Sequence, residues 1–353
     1  MGRRLLAGVP SHLADLSHRR TPVTSDPGRA RTAWEQLLRH RIDAVLASIP
    51  GDTDGEHRGA AGILARAETP GWISLPMWVD QGWADERRQP LASGVLDELL
   101  WGQYALFLCI RLQDDLLDGA RQDLHLILVA DHFLLESLQA FQRFPELDHA
   151  FWAFYRECVR DTVNGDLEVE RLEREPGRFT SAHLGLHARV SAILKVGAAA
   201  AARLHGREGD MAWLSRFQDH LAVFHQIADD LEDLVPDLMG GRFTWVANTI
   251  LAAEPGESLT TDERARRLGE GFMRPERGAV IVDELRRIAQ AAAAEVPTSA
   301  PREIHDLVQA LFAAADELER SMHETRVRWV FGEALATASD RVSGAIGPRT
   351  AAG

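Results

Sequence analysis

Lysine is almost missing from this 353-residue chain: of its 39 basic residues, Lys195 alone is not arginine. GC-rich coding explains the bias, and a lysine left on the surface by accident is the bland reading of the exception. The sharper reading is that a compact ammonium is needed there, because arginine's planar fork does not replace a point charge. Cysteine is scarce too. Cys109 and Cys158 lie inside apolar helical patterns, as expected for reduced core thiols of a cytoplasmic protein, and they do not form a metal set. No stretch reaches the roughly 18–20 apolar residues that cross a bilayer, so no integral membrane segment is expected. The opening MGRRLLAGVPSHLADLSHRR lacks a sustained apolar core and a cleavage site, and does not read as a signal peptide. Net positive charge is absent as well. A formal charge of −14 repels nucleic acid and anionic membrane surfaces as main partners.

The alternation that marks β-strands hardly occurs, whereas apolar residues recur at helical spacing along the whole chain. The expected fold class is all-α, a single large bundle of about 10–13 helices. Helices are expected at 29–48, 58–68, 72–84, 91–117, 122–142, 147–173, 180–206, 208–235, 242–253, 261–272, 276–295 and 301–340, with prolines and glycines mainly between them. Thr260 and Glu263 have the spacing of a capping box. Residues 28–343 read as one helical domain between flexible tails at 1–27 and 344–353.

Two acidic clusters carry the chemistry. In QDDLLD, Asp114 and Asp118 are one turn apart on one helix face, with Asp115 about 100° around. In HQIADDLED, Asp229 and Asp233 repeat that geometry, with Asp230 beside them and Gln226 one turn before. Each cluster ends a strongly apolar segment, so the carboxylates begin where the helix is buried, and unpaired charge there is costly. Mg²⁺ resolves the cost: it takes one or two carboxylates per ion and completes its octahedron with water and phosphate oxygens. All six aspartates are therefore candidate metal ligands. A single such cluster is commonly a solvated helix face, but two at the ends of apolar helices suit clamping a diphosphate through bridging ions.

These two motifs resemble the aspartate-rich motifs of the trans-isoprenyl diphosphate synthases, whose fold the class I terpene synthases share. ILVADHFLLESLQAF at 126 is similar to the helix following the first motif. VNGDLEVERL at 163 is similar to the GQxxD segment with Asp166 in place of glutamine, and SAILKVGAAAAARL at 191 to the KT helix. The resemblance implies a helical bundle around a central cavity, a prenyl diphosphate substrate, and three Mg²⁺ ions or Mn²⁺ in their place. It implies catalytic roles for Asp114, Asp118, Asp229, Asp233 and Lys195, the last on the KT lysine, and diphosphate contacts from Arg121, Gln226 and Arg242. A homodimer is a further implication, since the family tends to pair through its helical faces.

The departures matter as much. Chain-elongating members bind isopentenyl diphosphate through a GGKRLRP-like segment, and the matching PGWISLPMW puts Trp72, Ile73 and Leu75 where lysine and two arginines are usual. Apolar side chains supply no cationic donors for a second diphosphate. The expectation is thus a class I terpene synthase, a lyase that ionises one C15 or C20 allylic diphosphate and yields a cyclic or hydroxylated product. Phe107, Trp72 and Trp245 are candidates for lining the substrate, together with Trp78, Trp101 and Phe224, although aromatics at helical spacing more often fill the core. The alternative is a chain-elongating transferase using Arg87, Arg88 or Arg111 for the second substrate; a non-catalytic partner subunit is the third. Asp166 and Glu168 belong to a run that reads as solvated, or else points to the metals from a third helix.

Overall fold

The computed structural model describes residues 27–48, 75–84, 89–117 and 125–345, and every regular element among them is helical. The helix expected at 58–68, Trp72, Ile73, Arg87, Arg88, Asp118, Arg121 and the side chain of Asp115 lie outside the described residues. Helices α1 (Pro27–Ser48), α2 (Leu75–Trp83), α3 (Ser93–Leu117), α4 (His125–Gln142) and α5 (His149–Glu173) come first. A broken segment follows, made of α6 (Gly185–Val190), a 3₁₀ turn (Ala192–Lys195) and α7 (Val196–Leu204). Then come α8 (Met211–Glu232), α9 (Leu234–Gly240), α10 (Trp245–Leu251), α11 (Thr261–Phe272), α12 (Pro275–Glu295) and α13 (Arg302–Ala345). No single described helix is long and apolar enough to cross a membrane.

Local chemistry sets the boundaries. Asp148 caps α5, accepting from the amides of Ala150 at 3.0 Å and Phe151 at 3.1 Å, which would otherwise lack partners in the first turn. The Thr260–Glu263 capping box forms at α11: the Thr260 amide donates to Glu263 at 2.8 Å and the Glu263 amide to Thr260 Oγ1 at 3.3 Å. Gly241 ends α9 in the left-handed region at φ +89°. The core is one continuous apolar cluster, with α3 packed along α4 and α12 along α8. Cys109 and Cys158 are buried in it. Burial, the largest cause, pushes both thiols up to about 12, so they stay protonated and unreactive.

One expected helix is not continuous. The 180–206 segment bends by 55° between its halves, at Ser191. The causes are side chains arriving from three other helices. Gly165 of α5 crosses the bend so closely that a Cβ there would sit 2.8 Å from the Val190 nitrogen. Thr162 Oγ1 donates to the Arg189 carbonyl and accepts from the Ile193 amide, each at 3.3 Å, taking the place of backbone ladder bonds. From α3, Gln103 donates to the Ile193 carbonyl at 3.1 Å and accepts from the Gly197 amide at 2.6 Å. From α8, Gln218 donates to the Leu194 carbonyl at 3.0 Å. Gly165→Ala should therefore destabilise the fold by about 1–3 kcal/mol, since backbone rather than a flexible side chain must move; chemical denaturation reads the loss.

Candidate active site

The two glutamines at the break define a cleft. Gln103 and Gln218 both hold carbonyls of the same 3₁₀ turn, so α3 and α8 meet at that floor. Above it, the two helices scarcely pack on one another among the described residues. Both run toward the same rim. On α3, Gln103, Phe107 and Asp114 share a face; on α8, Gln218, Ala222, His225, Asp229 and Asp233 do. Asp114 and Asp229 each stand eleven residues beyond their floor glutamine, about 16 Å along the helix at 1.5 Å per residue. On α8 exposure rises from the buried Gln218 and Ala222 through the half-buried His225 to the exposed Asp229, and on α3 it goes from the buried Gln103 to the half-buried Phe107 and Asp114.

Electrostatics tie the two rims together. The carboxyl of Asp229 is pushed up to about 7, first by the protein crowded around it, then by Glu232 and Asp233, against the opposing pull of Arg111 on α3. Although crowded, Asp229 remains open to solvent, as a side chain at the mouth of a cleft does. Arg111 is thus a nearby cation that acts on this carboxylate, and its pull does not outweigh burial and the acidic neighbours. A hard divalent cation fits such an oxygen set, with Asp114 from the opposite rim and the rest of its shell supplied by water and phosphate. Among the described residues no three acidic or histidine side chains close a metal cage by themselves. An ion held by one or two carboxylates needs none.

Several expected site residues stand elsewhere. Asp230, about 100° round α8 from Asp229, is buried and points away from the rim. Gln226 donates to its Oδ1 at 2.9 Å, and its Oδ2 has no partner. Burial, then the charge of Glu173, hold this carboxyl well above the usual range. Asp230 and Gln226 therefore form a partly buried polar pair, with the Gln226 amide, beside Asp233 on the helix face, turned to the buried Asp230. Arg242 turns to the same crevice, donating through Nε at 3.2 Å and Nη2 at 3.0 Å to the buried Glu173 and lying 3.8 Å from Asp237. It neutralises a carboxylate that sequence reasoning did not single out. Behind it His187, stacked 5.1 Å from Phe179, is pushed down to about 4 by burial and by Arg242.

Lys195 differs most from expectation. Its ammonium pairs with Asp219, ten residues before Asp229 and so about 15 Å down α8. It lines a small pocket with Phe154, Ala199, Met211, Leu214, Ser215 and Gln218 between α5, α7 and α8. The bend at Ser191 is the reason: it resets the helical phase, so Lys195 falls on the side facing α5. At the bend itself stands Arg189, paired with Glu168 at 3.1 Å, a cation missed because only the break sets it apart from its neighbours. Lys195→Ala should accordingly lower turnover by no more than about threefold, the weight of a partly buried ion pair rather than of a leaving-group contact, read by steady-state kinetics. Trp245 and Phe224 are core residues, as is Trp101, which donates to Glu136 at 3.2 Å. Phe107 stays on the cleft face, stacked 6.0 Å from Tyr104.

No protein-family model matches the sequence, and comparison with curated proteins yields no match. Solved structures do match. The chain is similar to a geranylgeranyl pyrophosphate synthase from Corynebacterium glutamicum, with TM-score 0.60 and 17% identity, over 89% of this chain and 99% of that one. It is similar to a decaprenyl diphosphate synthase from Rhodobacter capsulatus, with TM-score 0.59 and 14% identity, over 83% and 98%. The heptaprenyl diphosphate synthase of Staphylococcus aureus gives 0.58 and 12%, over 81% and 98%. The chain thus has the all-α fold of the trans-prenyl diphosphate synthases.

Proposed function

We propose that this protein is a metal-dependent enzyme acting on allylic prenyl diphosphates by breaking the bond between the prenyl carbon and the diphosphate oxygen. The observation that carries it is the approach of the two acid-bearing helix ends across one cleft, where Arg111 of α3 acts on Asp229 of α8. Asp114, Asp229 and Asp233, with Asp115 and Asp118 from the first motif, would hold Mg²⁺. The metal, when bound, offsets the charge that develops on the departing diphosphate. Arg111 adds a fixed positive charge at the same rim. Below the rim, the apolar wall of Phe107, Ile110 and Ala222 receives the prenyl chain and keeps water from the allylic cation. A Corynebacterium glutamicum synthase of this fold is known complexed with isoprenyl diphosphate and magnesium, which supports the choice of substrate class and ion.

The similar structures are of chain-elongating synthases, and this supports transfer of the allylic group to isopentenyl diphosphate ahead of the cyclisation expected from the sequence. One observation favours the second reading, a terpene synthase. Leu75, at a position expected to carry a cation for the second diphosphate, is fully buried in the core, and Pro76 beside it packs on Gly197. One assay tests both: C10, C15 and C20 allylic diphosphates with Mg²⁺, with and without isopentenyl diphosphate, following diphosphate release and organic products. Strict dependence on isopentenyl diphosphate means elongation; release without it means cyclisation or hydrolysis. Silence with every substrate rejects the proposal.

A further inference from the structure

The sides of α4 and α5 that face away from the core are apolar and basic. Five large apolar side chains stand 43–61% exposed there: Ile127, Leu128 and Leu135 on α4, and Val163 and Leu167 on α5. The positions that each helix buries recur every three or four residues, which leaves Leu128, Asp131 and Leu135 as one outer ridge. On α5 the outer ridge is Arg156, Arg160, Val163, Leu167 and Arg171. Among the described residues no ion pair engages Asp131, Arg156, Arg160 or Arg171. In a chain of formal charge −14, a ridge of three unneutralised arginines beside exposed leucines has the character of a contact surface, since arginine and apolar side chains concentrate there.

We propose that this face pairs with a second copy of the chain about a twofold axis lying along the groove between α4 and α5. The register of the two helices carries the argument. Ser137 of α4 meets Tyr155 of α5 at 3.2 Å, and the rings of Phe141 and Phe151 lie 5.6 Å apart, so the helices run antiparallel. Continued along both, that register sets Leu128 level with Val163 and Asn164, Asp131 with Arg160, and Leu135 with Arg156. Rotation about the axis lays each copy's α4 across the other's α5 at the same level. Leu128 of one copy then packs on Val163 and Leu167 of the other, Asp131 meets Arg160, and the Arg156 stem covers Leu135. The face is about 27 Å long, the length of α4, and about 20 Å wide, so the contact covers about 1,100 Å² over both copies, above the roughly 1,000 Å² of a specific interface. An anionic bilayer would also attract arginine and leucine, but it would take in Asp131, centred between Leu128 and Leu135, without a cation. A second copy supplies one. Because α4 packs along α3, which carries Asp114, and α5 holds the bend at Ser191, the partner copy stands against the supports of the cleft.

Sedimentation of the full chain over a concentration series reads the dissociation constant of the pair. Wild type should be a dimer. Asp131→Arg and Arg160→Asp should each weaken it on the order of a hundredfold, since each substitution puts like charges opposite one another and the twofold axis makes it count twice. The double variant Asp131→Arg with Arg160→Asp should return to within about tenfold of wild type, because the pair is restored with its signs exchanged. Both residues are exposed, so neither change should disturb the fold, and circular dichroism checks that it does not. A monomeric wild type would overturn the proposal; if that monomer co-sedimented with phosphatidylserine vesicles, the face would belong to a membrane instead. Single variants as dimeric as wild type would overturn it too, by placing the contact elsewhere on the surface. A double variant no tighter than the singles would do the same. None of these outcomes depends on which reaction the cleft carries out.

Discussion

Asp229→Asn should cut Mg²⁺-dependent diphosphate release on the order of a thousandfold while raising the melting temperature of the metal-free protein. The two effects come from one cause. The carboxyl sits among Glu232 and Asp233 and is crowded by protein, so its charged form is disfavoured unless a cation joins it. Asparagine has the same shape without the charge, relieving the repulsion and removing the metal ligand together. Calorimetry of the apo protein and a diphosphate-release assay read the two sides separately. A variant that lost activity and also melted earlier would mean that Asp229 supports the fold rather than the chemistry. Asp230→Asn is the internal control: buried, bonded to Gln226 and turned from the rim, it should retain most of the activity.

The stabilisation conferred by Mg²⁺ should depend steeply on pH. The Asp229 carboxyl ionises with a pKa of 3.8 in an ordinary environment and about 7 in the folded protein. Between those values the folded state binds more protons than the unfolded one, so this group's contribution to stability is present at low pH and is lost as pH rises toward about 7. Mg²⁺ competes for the same oxygens and requires them deprotonated. At about pH 5 saturating Mg²⁺ should therefore shift the melting temperature little. At about pH 8 a hundredfold excess over its dissociation constant contributes about 2.7 kcal/mol, which for a chain of this size is a shift of about 4 °C. Equal shifts at both pH values would place the bound ion away from Asp229.

The helices and the acid positions were legible because both follow from local spacing. Apolar residues at a period near 3.6 mark α3 and α8, and carboxylates four apart at their ends share a face whatever the surroundings. The capping box at Thr260 is equally local. The bend at Ser191 was not legible, since nothing in SAILKVG announces it; it is imposed by Gly165, Thr162, Gln103 and Gln218, which are distant in sequence. Every position beyond the bend inherits its change of phase, and this is how Lys195 comes to meet Asp219. Arg242 and Gln226 were legible as polar groups near the second cluster, but not as partners of buried carboxylates, because Glu173 approaches from the end of another helix.

The central claim is that Asp114 and Asp229 hold metal and diphosphate between two facing helix ends. It is tested most directly by a crystal structure with Mg²⁺ and a non-ionisable allylic diphosphate analogue. The predicted result is Mg²⁺ bound by both carboxylates across the cleft, with the diphosphate between them and the prenyl chain running down past Phe107 and Ile110. An analogue bound elsewhere, with the two carboxylates separately solvated, would contradict it.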